Sequence, residues 1–172
     1  VPMIVRWPGV VKAGSTVDQT VCLTDLMATV ADVVGAPLPA EAGPDSFSWL
    51  PVLKDPSADS VRESTIHHSI NGSFAIRKGR YKLCFCADSG GWSDPKPAGK
   101  KKVSSGLQLF DLEKDIAETT NIADDHPEVV LELSRLMEDC IQRGRSTAGP
   151  TLSNDVPVDL WKRIDRLPAL EK

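Results

Sequence analysis

Residues 66–83 read IHHSINGSFAIRKGRYKL, which sets His67 and His68 side by side ahead of Asn71 and Arg77, with Cys84 and Cys86 just beyond. These are the side chains from which a reactive pair, a metal site or an anion site is made. Neighbours on a strand point to opposite faces, so His67 and His68 cannot readily serve one small site together. Alternation places His68 with Ile66 and Ile70 on an apolar face and His67 on the polar one. One histidine at the edge of a core and one at the surface accounts for the pair at least as well as two ligands do. CxC with HH lacks the spacing of structural zinc modules, and the four cysteines (Cys22, Cys84, Cys86, Cys140) read more simply as small, partly buried residues. Arg77 and Lys78 could pair with an anionic substrate, but both flank a hairpin turn, where such residues are common.

Other chemistry is thin. Asp111, Glu113 and Asp115 have the alternate spacing of a calcium loop, but the sixth position is not glycine and the twelfth is Ile122, so an EF-hand fails. A turn with local side-chain capping explains these acids. No GxSxG elbow, P-loop or GxGxxG occurs. Asn71-Gly72-Ser73 fits a glycosylation sequon, though a tight turn explains it first. A net charge of -4 with no basic, aromatic-rich face gives no case for nucleic acid. No apolar run approaches the roughly 18 residues of a membrane span.

The elements that would position these residues follow from periodicity. TDLMATVADVVGAP predicts a short helix with Thr24 as N-cap, Leu26, Val30, Val33 and Val34 on one face, and Gly35 past its end. The prolines of 38–63 make that stretch loop, with one helical turn around SWLPVL. Residues 64–70, SFAIRKG and RYKLCFCA then alternate as three antiparallel strands joined at Asn71-Gly72 and Lys78-Gly79. Residues 88–106 read as a long mobile loop whose Lys100–Lys102 run is a solvated turn, and LQLFDL supplies a fourth strand. Pro127 at N1 opens the longest helix, with an apolar stripe of Val129, Leu133, Leu136, Met137 and Cys140 that the sheet's apolar face can cover. From Ser146 the chain reads as an extended tail, with VDLWKRIDRL able to form a short amphipathic turn or two. The fold class expected is α+β: a four-stranded antiparallel sheet packed by one long helix, preceded by a strand-helix element. That first strand, PMIV, is apolar enough to belong inside a larger sheet, and the chain reads as a piece of a longer protein.

The order of the pieces VPMIVRWPGVV, TDLMATVADVVGAPLP, DSFSWLPVL, HHSINGSFAIRKGRYKL and LQLFDLEKDIAETTNIADDHPEVVLEL resembles the C-terminal third of a formylglycine-dependent, arylsulfatase-like sulfatase of the alkaline phosphatase superfamily. The resemblance covers residues 1–143. It implies that 1–37 end a large α/β catalytic domain, that 38–63 are a connection, that 64–145 form the C-terminal sheet-and-helix subdomain, and that 146–172 are the tail.

The resemblance also implies where the chemistry lies. Such enzymes use a Cys in a CxPSR or similar context, oxidised to formylglycine, and hold a calcium ion; none of the four cysteine contexts here matches, so both are expected in a missing N-terminal part. The chain alone is expected to be inactive. Its partners are the N-terminal catalytic domain of the same chain and a small-molecule or carbohydrate sulfate ester, in an exported parent protein. His67, His68, Asn71 and Arg77 are the candidates to touch substrate from one wall of its cleft. A phosphodiesterase or phosphonate monoester hydrolase of the same superfamily, or a non-enzymatic interaction module, are the alternatives.

Overall fold

A computed structural model describes residues 3–96, 106–162 and 164–170. The chain divides into two compact units, Val1–Glu63 with Gly144–Leu152, and Ser64–Arg143 with Ser153–Lys172.

The second unit is the expected α+β layer pair. Strands β1 (Ser64–His68), β2 (Phe74–Lys78), β3 (Tyr81–Phe85) and β4 (Leu107–Asp111) form an antiparallel meander in sequence order. The register aligns Ile66, Ile76, Leu83 and Leu109 across the sheet. Ile76, Leu83 and Leu109 are fully buried, together with Leu133 and Met137 of the long helix, Pro127–Arg143. Each such side chain contributes about 1.5–3 kcal/mol of burial free energy, which is what binds helix to sheet. Periodicity places the stripe slightly off: Val130 and Ser134 are buried, while Val129 and Leu136 only flank the core.

The segment read as a tail does not trail. Leu160 and Ile164 complete the core, and Trp161 meets Phe85 edge-to-face at 5.3 Å. Trp161 Nε1 also donates to Glu138 at 2.9 Å, and Arg166 bonds the same carboxylate. These contacts come from the amphipathic stretch VDLWKRIDRL, too short for its period to say which surface it covers.

Strand β1 ends earlier than alternation predicts, at His68, and a five-residue turn, 69–73, replaces the tight Asn-Gly turn. The reason is local. The Ser73 amide donates to both Ser69 Oγ and Asn71 Oδ1, and such side-chain acceptors compete with the ladder. Ile70 is therefore exposed on the turn and does not share a core face with Ile66 and His68.

The first unit is built differently. A 3-10 turn, Leu23–Asp25, leads into α1 (Leu26–Val34), which Gly35 ends in the left-handed conformation. The cap is not Thr24, whose hydroxyl donates to Asp45 O; Asp25 reaches back to accept the Cys22 amide at 2.8 Å. Asp25 is fully buried. It also accepts from Phe47 N, from Trp49 Nε1 at 3.0 Å, and from Arg62 Nη1 at 2.7 and 2.8 Å. Thr29 Oγ1 links Asp25 O to the Trp49 amide, and Trp49 leads into the short helix α2 (Leu50–Lys54). Arg145, also buried, closes Gly144–Leu152 onto the unit by donating to Ala40 O, Pro150 O and Thr147 Oγ1. No strand forms among the described residues of the PMIV segment. A lone extended segment has no ladder partner for its N–H and C=O groups.

Candidate functional site

The sheet's second face carries what the helix does not cover. Register places Thr65, Arg77, Lys82 and Phe110 in one row there, and His67, Ala75, Cys84 and Gln108 in the next. The chain after β3 bends back over this face. Ser89 N donates to Pro95 O and Ser89 Oγ to Ser93 O, closing a loop whose Gly90 O accepts from Asn71 N at 3.2 Å. Gly90 has φ of 66°, and any Cβ there would run into the Ser69 side chain, so only glycine lets loop and turn approach this closely. Residues 88–96 of the segment read as a mobile loop are thus tied down by hydrogen bonds; Lys100–Lys102 lie outside the described residues.

Between loop and sheet lies a cleft of about 430 Å³. His67 and His68 both border it, as do Ser73, Lys82, Asp88 and Asp94. His67 Nε2 lies 3.2 Å from Thr65 Oγ1, and the His68 ring packs on Phe74 with centroids 4.8 Å apart. The two side chains therefore leave β1 on opposite faces, as alternation requires. The structure sets Asn71 and Arg77 apart from them. Asn71 Oδ1 holds the turn by accepting from Ser69 Oγ and Ser73 N, and Arg77 Nε donates to Gly79 O; neither side chain lines the cleft. The Asn71 amide nitrogen is buried, so the sequon's acceptor atom is closed off in this fold.

The cysteines are not poised for reaction. Burial pushes the Cys84 thiol up to about 12 and raises that of Cys86 as well, so both are protonated at neutral pH. Among the described residues no three His, Cys, Asp or Glu side chains converge as metal ligands.

The acidic motif after β4 is architectural. Asp111 pairs with Arg80. Asp115 accepts from the Thr120 and Thr119 amides, and the Thr120 bond leads in holding its carboxyl below the usual range. Asn121 Oδ1 accepts the Leu109 amide at 2.9 Å, extending the edge of β4. Glu118 sits at φ 56°, a left-handed conformation costly for a residue with a Cβ, and receives both bonds of Lys82 Nζ, at 2.6 and 2.8 Å. This Lys82–Glu118 clamp spans the cleft floor. Sequence reasoning passed over it, although alternation from Arg77 through the Lys78-Gly79 turn already places Lys82 on the face of His67. Ser73, Asp88 and Asp94 gave no periodic signal, because they reach the cleft through turns.

The family described as N-sulphoglucosamine sulphohydrolase, C-terminal, matches residues 1–94. An N-acetylgalactosamine-6-O-sulfatase of Bacteroides thetaiotaomicron is 35% identical over 141 residues, 80% of this chain and 26% of that protein. Human arylsulfatase A is 33% identical over 150 residues, 78% of this chain and 29% of its own length. A solved structure from work on glycosaminoglycan metabolism by Bacteroides thetaiotaomicron superposes with a TM-score of 0.51 at 33% identity, covering 67% of this chain and 24% of the other. The chain thus spans about a quarter of the length of the curated relatives it matches. With the meander, its covering helix and the matched first 94 residues in agreement, the chain belongs to the sulfatase family, as a C-terminal region.

Proposed function

We propose that this chain is the C-terminal part of an enzyme that hydrolyses sulfate esters, and that it supplies structural support and one wall of the substrate cleft rather than the reacting centre. The observation that carries this reading is the cleft on the sheet face opposite the long helix, bordered by His67 and His68. It offers hydrogen-bonding groups on the strands, yet its thiols are protonated, and Glu118 and Asp88 are engaged in a clamp and a turn. Such a wall orients a substrate without attacking it. Formylglycine and calcium are assigned to polypeptide outside this chain, because neither the cysteines nor the acids here fit them. The catalytic domain on the same polypeptide is the partner. The apolar face of α1, with Leu26, Met27, Val30 and Val34 exposed, is a surface for it to cover. Of the paired histidines, His67 is the one on the cleft face of the sheet and is the substrate contact we favour.

The test is sulfate release from 4-nitrophenyl sulfate and from chondroitin 6-sulfate. The full polypeptide is expected to release sulfate and the 172-residue chain alone to release none. His67→Ala in the full polypeptide is expected to raise KM about tenfold, the scale of one lost hydrogen bond to a bound group. Activity in the isolated chain, or cleavage of a phosphate diester with no sulfate release, would overturn the assignment.

A further inference from the structure

Residues 40–49 are held at once by α1 and by a segment far later in the chain. Toward α1, Ser46 Oγ accepts from the Ala28 amide at 2.8 Å, Asp25 Oδ1 accepts from the Phe47 amide at 3.0 Å, and Thr29 Oγ1 accepts from the Trp49 amide at 2.9 Å. Toward residues 144–152, Ala40 O accepts from Arg145 Nη1 at 3.0 Å, and Pro44 O accepts from both the amide and the hydroxyl of Thr147. Asp45 Oδ1 accepts from both the amide and the hydroxyl of Ser146, each at 2.8 Å. These bonds reach across 101 to 105 positions of sequence.

The later segment is shaped around one arginine. Arg145 is buried; its Nε and Nη2 share Thr147 Oγ1, and Nη1 also donates to Pro150 O at 3.1 Å, so residues 145–150 wrap the guanidinium that holds them. Gly149 has φ of 138°, and a Cβ there would run into that guanidinium, so a side chain at this position would force the wrap open. The acceptors that hold Arg145 are neutral carbonyl and hydroxyl oxygens. A buried cation served only by neutral acceptors gains less than an apolar side chain would, whereas its planar fork of donors fixes direction.

We infer that residues 144–152 are a latch and that Arg145 is its positioning residue. By pinning residues 40–49, the latch holds the polar side of α1, where Asp25 and Thr29 are buried, and so fixes the presentation of the exposed Leu26, Met27, Val30 and Val34 for docking. What docks there is the catalytic part of the same polypeptide, and only that identity rests on the sulfatase reading above.

The test is amide hydrogen exchange on the full polypeptide, with sulfate release from 4-nitrophenyl sulfate measured on the same preparations. Arg145→Met keeps bulk and loses the fork; the amides of Ala28, Phe47 and Trp49 are expected to exchange about tenfold faster, the scale of one lost hydrogen bond, with those of β2 and β3 unchanged. Thr147→Val, a milder change that keeps the arginine, is expected to give a several-fold increase at the same three amides. In R145M, kcat is expected to fall about tenfold with KM within about twofold, because docking is loosened while the substrate wall on the sheet is intact. Unchanged exchange at the three amides in both variants, or faster exchange spread equally through β2 and β3, overturns the latch. Faster local exchange with unchanged kcat overturns the positioning role of Arg145. An unaltered polypeptide that releases no sulfate removes the sulfatase reading instead, and the exchange pattern then judges the latch by itself.

Discussion

The two units solve burial in opposite ways. In the second, Ile76, Leu83, Leu109, Leu133 and Met137 are inside, and of the described charged residues only Asp111, paired with Arg80, is buried. In the first, an aspartate, a threonine and two arginines are inside, while Leu23, Leu26, Met27, Val30 and Val34 are exposed. An apolar core is non-directional and tolerates some repacking. A polar centre depends on every donor finding its acceptor, and it fails when one is removed. The second unit therefore has the means to stand by itself, and the first has an apolar exterior that only another surface can relieve.

Breaking the two centres should separate these cases. The largest loss is expected at the buried ion pair: Arg62→Met leaves the Asp25 carboxylate buried without its cation, costing about 3–5 kcal/mol. Urea titration followed at Trp49 would register it, since Trp49 Nε1 bonds Asp25 directly. Next, Leu133→Ala opens a cavity under the long helix and costs about 3 kcal/mol in the second unit's transition.

Glu138 gives a smaller, pH-dependent effect. Its carboxyl is held below the ordinary glutamate value first by Arg166, with Trp161 adding a second hydrogen bond. A lowered acid contributes stability that is fully present above its unfolded value, about 4.3, and is lost as pH falls through the native value. Glu138→Gln should cost about 1 kcal/mol at neutral pH, limited because Arg166 is partly in solvent, and the gap from the parent chain should close below pH 4. Smallest is Val30→Lys on the exposed face of α1, within about 0.5 kcal/mol in this chain alone. The same change in the longer polypeptide should cost several times more, because there the lysine would be buried.

Much of the second unit was readable from sequence because its burial follows the periods of its elements. The strand alternation, the Lys78-Gly79 turn, Pro127 at N1 and the stripe through Leu133 and Met137 are each a local statement of where the core lies. The first unit was not readable in the same way. Periodicity locates the apolar face of α1 but not whether this chain covers it, and the buried side carries Asp25 and Thr29, which a hydropathy pattern assigns to solvent. At the cleft, alternation puts His67 and His68 on opposite faces of β1, yet both border the one cleft because His68 ends the strand. It could not find Ser73, Asp88 and Asp94, because they are brought together by a five-residue turn and a folded-back loop whose hydrogen bonds have no sequence period. The motif residues that carried the resemblance turn out to hold the fold: Asp111, Asp115, Glu118 and Asn121 clamp, cap and extend.

Amide hydrogen exchange, measured on this chain alone and on the full polypeptide, tests most directly whether the first unit is completed from outside. The amides of β2, β3 and the long helix should be equally protected in both, whereas those of α1 should gain protection of about tenfold or more only in the full polypeptide. Equal protection of α1 in the two would contradict the account, because it would mean that the exposed apolar face has no partner to meet.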